Sequence, residues 1–356
     1  MFNYKFIAIS LLSGLLLINS GCVSKSEKYA TQGIDNMENK NFQDALTYFN
    51  LAISFNSKNA RYYLLRAIVN YSLGKYEEAI KDNNKAIEID PKYVDAYYNR
   101  GLLLYHLGKY EKVIKDNNKA IELNPKYVNA YNTRGLSLDE LGKHKEALKD
   151  YTKAIELNPK NVYAYNNRGN SLYHLGKHNE AIKDYTKAIE LDPKYVDAYY
   201  NRGLSLDDLG KYEEAIKDYT KAIKLDPQDA CVYNNRGLSL AHLEKYEKAI
   251  KDYTKAIELN PKYVRAYYNR GISLDDLGKY NEAIKNYTKV IELAPKSVNA
   301  YNNRGLSLYH LGKYNEAIKD YDKALELSPQ NFKIYKNRNL AKNMLTKNKA
   351  KITIVK

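Results

Sequence analysis

The chain has 356 residues, with 57 lysines and arginines against 42 aspartates and glutamates and a formal net charge of +15. Its two cysteines, Cys22 and Cys231, exclude a disulfide framework or a cysteine-rich metal site, and its six histidines show no paired metal-ligand spacing. The positive charge marks an anionic partner only if it gathers on one face, so its placement along the chain decides its meaning.

The first element is an address segment. Lys5 precedes an apolar run from Phe6 to Leu12 that continues past Ser13 and Gly14 to Ile18. The run is too short to span a bilayer comfortably; a basic start, a short apolar core and small residues before a cut read as a secretory signal peptide over 1–21. Ser20-Gly21-Cys22 also resembles the end of a bacterial lipobox, with Asn19 standing where that pattern usually has an apolar residue. The resemblance implies a lipid on the Cys22 thiol, a tether over 22–25, and a membrane-anchored place on the periplasmic or surface side of the cell envelope.

The next 306 residues are one unit repeated. All eight prolines, from Pro91 to Pro329, are spaced by 34 residues, and Gly101, Gly135, Gly169, Gly203, Gly237, Gly271 and Gly305 keep the same period, with Ala67 in the vacant place before them. This gives nine repeats, 26–59, 60–93, 94–127, 128–161, 162–195, 196–229, 230–263, 264–297 and 298–331. In 94–127, Tyr97, Arg100, Gly101, Leu104 and Leu107 recur at helical spacing, Gly108 supplies a turn, and Tyr110, Val113, Ile114, Asn117, Ala120 and Ile121 form a second stripe that Pro125 stops. These are helices A and B. Gly101 sits mid-helix, where it costs about 1 kcal/mol against alanine, so its recurrence predicts close approach of the two helices.

The period, the helix pair and Tyr97, Gly101, Ala120 and Pro125 with their counterparts resemble the tetratricopeptide repeat family. The resemblance implies an all-α fold, a right-handed superhelical solenoid of nine helix-turn-helix repeats, with 332–356 as a C-terminal capping helix and tail. Arg100 and its counterparts stand where the family usually has leucine. Asp116 and its counterparts recur in helix B, with Asn286 replacing the acid once, so an Arg–Asp pair between packed helices is expected.

The residues of helix A not assigned to packing form the expected ligand groove. Asn99, Asn167, Asn201, Asn235, Asn269 and Asn303 recur there, and an amide can both donate to and accept from a peptide backbone. Their neighbours alternate every second repeat: Tyr105-His106, Tyr173-His174 and Tyr309-His310 interleave with Asp139-Glu140, Asp207-Asp208 and Asp275-Asp276. Such a groove favours an extended protein or peptide ligand of neutral to basic character. Lysines such as Lys109, Lys115, Lys119 and Lys126 crowd the helix B side instead.

No Ser-His-Asp set, phosphate loop or metal motif appears among the repeats, so neither catalysis nor a cofactor is expected. Nucleic acid is not an expected partner of an exported chain without a recognised binding motif. The sequence reads as a non-enzymatic protein- or peptide-binding scaffold anchored in the cell envelope. The alternative is a structural subunit of an envelope assembly machine that contacts folded partners; the fold alone does not choose between the two.

Overall fold

The computed structural model describes residues 23–355, with side chains to 347; the expected signal segment and Cys22 lie outside the described residues. Every described element is an α-helix, and none is long and apolar enough to cross a membrane. The described residues fall into two compact units that divide after Pro159.

The first unit holds four helix pairs: α1 (Lys25–Glu38) with α2 (Phe42–Phe55), α3 (Ala60–Ser72) with α4 (Tyr76–Ile89), α5 (Val94–His106) with α6 (Tyr110–Leu123), and α7 (Val128–Glu140) with α8 (His144–Leu157). The second holds five: α9 (Val162–His174) with α10 (His178–Leu191), α11 (Val196–Asp208) with α12 (Tyr212–Leu225), α13 (Ala230–His242) with α14 (Tyr246–Leu259), α15 (Val264–Asp276) with α16 (Tyr280–Leu293), and α17 (Val298–His310) with α18 (Tyr314–Leu327). A last helix, α19 (Phe332–Val355), packs on α18. Odd-numbered helices are the A helices and even-numbered ones, to α18, the B helices.

Local chemistry sets both helix ends. Gly108 lies at φ 67°, a left-handed backbone that glycine adopts without a Cβ clash, and Lys109 N–H reaches back to the Leu104 carbonyl at 2.9 Å. Lys40 and Glu244, which interrupt the glycine series in the sequence, hold the same conformation at φ 61° and 57°, a cost of about 1 kcal/mol each. At the end of helix B, Asn124 is extended ahead of Pro125, and its side chain accepts from Lys126 N–H at 3.0 Å.

The mid-helix glycines answer to one neighbour. A Cβ on Gly203 would lie 2.6 Å from a ring carbon of Tyr219, and Gly135, Gly169, Gly237, Gly271 and Gly305 face Tyr151, Tyr185, Tyr253, Tyr287 and Tyr321 in the same way. These tyrosines are essentially fully buried, so the missing side chain is what admits the ring between helix A and helix B.

Arginine and aspartate pair within repeats 2 to 7 and within repeat 9. Arg202 donates from Nε and Nη2 to the two Asp218 oxygens at 2.7 and 2.8 Å, and its Nη1 bonds Thr186 of the preceding repeat at 2.9 Å. Its guanidinium also lies over the Tyr199 ring at 5.9 Å. The same clamp recurs at Arg100, which joins Asp116 to Asn84, and at Arg236, which joins Asp252 to Thr220. Arg100, Arg202 and Arg236 thus fasten their own helix pairs and tie each to the repeat before.

Candidate functional site

The expected site residues lie on the A helices, but their side chains have different fates. In the first unit, Asn99 is buried and donates to the Asp95 carbonyl at 2.8 Å, one turn back in α5. Tyr98 beside it is buried as well, while Leu107, assigned to packing by spacing, is exposed. The physical reason is that α5 is flanked by α3 and α7 as well as by its own B helix α6, so the flank beside Tyr97 is covered too. Tyr105 donates its hydroxyl to exposed Glu140 at 3.2 Å, and burial first, then that carboxylate, raises its pKa.

In the second unit the asparagines bond one another. Asn201 Nδ2 donates to Asn166 Oδ1 at 3.1 Å, Asn269 to Asn234 at 3.1 Å, and Asn337 to Asn302 at 3.0 Å. In the alternate repeats Asn235 donates to the Tyr200 hydroxyl at 2.9 Å and Asn303 to the Tyr268 hydroxyl at 3.1 Å. Asn167, at the start of this series, lies beside Asn166 at 3.5 Å. The row therefore ties A helix to A helix, and each amide that donates once keeps a second N–H.

The paired acids split in the same manner. Asp207 accepts from the core Tyr219 hydroxyl at 2.7 Å and from Ser239 at 2.7 Å; Asp275 accepts from Tyr287 and Ser307, each at 2.7 Å. Burial pushes both carboxyls above the ordinary carboxylate range, and the hydroxyl donors oppose that shift. Asp139 likewise accepts from Tyr151 at 2.9 Å and meets His144 at 2.8 Å. The second members, Glu140, Asp208 and Asp276, are exposed. Asp208 lies 3.8 Å from His178 and accepts from Tyr173, whose phenol is pushed up to about 12 by burial and then by that bond. Tyr309 packs edge-on against Tyr314 at 5.4 Å.

Three of the four A-helix histidines are ring partners of the preceding repeat, and His174 packs edge-on against its neighbour Tyr173. His242 stacks on Tyr212 at 4.6 Å and 10°, His310 on Tyr280 at 4.8 Å and 11°, and His106 tilts over Tyr76 at 4.8 Å. Among the described residues no group of three His, Cys, Asp or Glu side chains is placed to hold a metal ion.

The model of the family described as Tetratricopeptide repeat matches residues 94–127, 196–229, 230–263, 264–297 and 298–331. A second model of that description matches 117–149, and one described as TPR repeat matches 69–108, 140–176 and 169–210. Together the matched segments run without a gap from 69 to 331, well over half of the chain. Comparison with curated protein sequences finds no match. Among solved structures, the TPR protein YrrB, described as having an unusual peptide-binding site, is 28% identical over 53% of this chain and 97% of its own, with a TM-score of 0.48. The C-terminal part of a TPR repeat-containing protein from Cytophaga hutchinsonii is 23% identical over 67% of this chain and 98% of its own, with a TM-score of 0.56. The Cut9–Hcn1 hetero-tetramer of the APC/C is 17% identical over 95% of this chain and 81% of its own, with a TM-score of 0.54. The latter two likenesses show the fold.

Proposed function

Because this chain belongs to the tetratricopeptide repeat family, whose members are protein-interaction scaffolds, we propose that it binds a protein or peptide partner along its A helices and performs no catalysis. The observation that carries this reading is the exposed carboxylate pair of the second unit. Asp208 and Asp276 recur two repeats apart at the ends of α11 and α15, on the helices whose Asn201 and Asn269 amides are held by neighbouring A helices. Carboxylates at fixed spacing on a rigid face select basic residues in an extended segment. Titrating a peptide library against the Asp208→Lys, Asp276→Lys variant tests this. Binding should shift from basic to acidic peptides, and in each case weaken as ionic strength rises; unchanged selection would overturn the charge reading.

The asparagine row favours a second reading. Amides that already bridge neighbouring A helices stiffen the face more than they grip a ligand backbone, which suits docking of a folded partner in an assembly. Cross-linking in the intact envelope separates the two: links confined to a short segment of the partner support the extended ligand, and links spread over a folded domain support assembly.

We also propose that Cys22 carries a lipid anchor, supported by Ser20-Gly21-Cys22 after the apolar run. The full chain should incorporate labelled fatty acid and partition into detergent, and Cys22→Ser should do neither. Label retained on the Cys22→Ser chain would sink the anchor.

A further inference from the structure

Where repeat 6 meets repeat 7, α12, α13 and α14 enclose a cleft of about 330 Å³ lined by Ile216, Thr220, Arg236, Leu240, Lys248, Lys251 and Asp252. Ile216 and Leu240 give it an apolar floor. Its one carboxylate, Asp252, is already held by Arg236 Nε and Nη2 at 2.7 Å each. Neither Lys248 nor Lys251 makes an ion pair among the described residues, and both are exposed. Three cations therefore face one neutralised acid.

Comparison with the other repeats shows this to be specific. The position of Lys248 is Asp44, Glu78, Glu146, Glu180, Glu214, Glu282 or Glu316 elsewhere, and lysine recurs only as Lys112 in repeat 3. In repeat 6 the corresponding set is Arg202, Glu214, Lys217 and Asp218, which is charge-balanced. Lys248 is the third residue of α14, in the first turn, where the helix dipole favours an acid and disfavours a cation. A local rule broken without a compensating contact in the fold points to a ligand. Among the described residues Thr186 and Thr254 donate to the Ile182 and Ile250 carbonyls at 2.7 Å, whereas Thr220, like Thr288, makes no such bond and only accepts from an arginine Nη1 at 3.1 Å. The Thr220 proton can turn into the cleft.

We propose that this cleft binds a dianionic phosphate group, with Lys248 and Lys251 supplying the charge, Thr220 a hydroxyl donor, and Arg236 its remaining N–H groups. Two uncompensated cations match a dianion, and the floor of Ile216 and Leu240 can take the organic part of a phosphomonoester. The test is titration of the full chain at low ionic strength with inorganic phosphate, glycerol 2-phosphate and acetate, followed by ³¹P line broadening for the phosphates and calorimetry for all three. A Lys112→Glu background silences the other repeat with lysine at this position. In that background both phosphates should bind saturably, and acetate should bind at least tenfold more weakly. Lys248→Glu should weaken phosphate binding at least tenfold while leaving Tm unchanged or higher, since it restores the residue found in most other repeats. Tighter glycerol 2-phosphate would identify an organic phosphate as the ligand, and tighter inorganic phosphate the free ion. Lys183→Glu, an equal charge change on exposed α10, should alter binding less than twofold. Absence of saturable phosphate binding, equal affinity for acetate, or an equal loss from Lys183→Glu would overturn the site.

Discussion

Replacing Arg202 by leucine is expected to destabilise the second unit by about 2–4 kcal/mol, although leucine is the usual residue of the family at this position. The side chain of Asp218 is only 8% exposed, and both its oxygens are occupied by Arg202, so leucine leaves a nearly buried carboxylate without its partner. The bond to Thr186 and the stack on Tyr199 go with it, which loosens the joint to the preceding repeat. Asp218→Asn should cost far less, about 1 kcal/mol. Repeat 8 already has that arrangement: Arg270 donates from Nε to Asn286 Oδ1 at 2.9 Å and keeps its bond to Thr254. Leucine with asparagine no longer strands a charge, so the double variant should be more stable than the sum of the single losses predicts. Urea titration of helicity measures all four chains, and strict additivity would show that the clamp is not a coupled unit.

The features legible in the sequence are those that depend on one residue and its own turn. Glycine at the left-handed turn, proline after helix B and the 34-residue period are set by backbone sterics, so the helix pairs were readable without tertiary information. The Arg–Asp pair was readable in kind, because Asn286 changes opposite Arg270, but its place within one repeat needed the packing. The candidate site was less legible because residues of one type meet different surroundings. Asp207 and Asp208 are adjacent and chemically identical; one is capped by a core tyrosine and the other is exposed. The alternation in the acids did carry a signal, since Tyr219 and Tyr287 hydroxyls reach Asp207 and Asp275. Tyr253 and Tyr321 stand at the same position where no acid is present, and the buried Tyr321 hydroxyl has no hydrogen-bond partner among the described residues. A tyrosine in both kinds of repeat hid the connection. The asparagines were ambiguous for the same reason: the sequence places them on A helices but not which neighbouring side chain accepts from them.

Gly203→Ala is expected to destabilise the chain by about 1–3 kcal/mol, against the gain of about 1 kcal/mol that alanine gives in an unconstrained helix. The new Cβ would sit 2.6 Å from Tyr219 Cε1 and 2.9 Å from Cδ1. The ring cannot retreat cheaply, because it is fully buried and its hydroxyl is fixed on Asp207. Gly101→Ala tests the same backbone position against a different neighbour. There the added carbon meets Asn117 Nδ2 at 3.1 Å, a smaller group, and the chain already carries alanine at this position in Ala67, opposite Asn83. Gly101→Ala should therefore be neutral or stabilising by up to about 1 kcal/mol. Tyr219→Asn costs stability of its own, because it empties a fully buried ring site and removes the bond to Asp207, but Gly203→Ala should cost less in that background than in the parent, since the pair then matches Ala67 and Asn83. Denaturant midpoints of the four variants against the parent decide the matter. If Gly203→Ala is as stable as the parent, the tyrosine ring is not what requires glycine, and helix A and helix B can separate to admit a methyl group without cost.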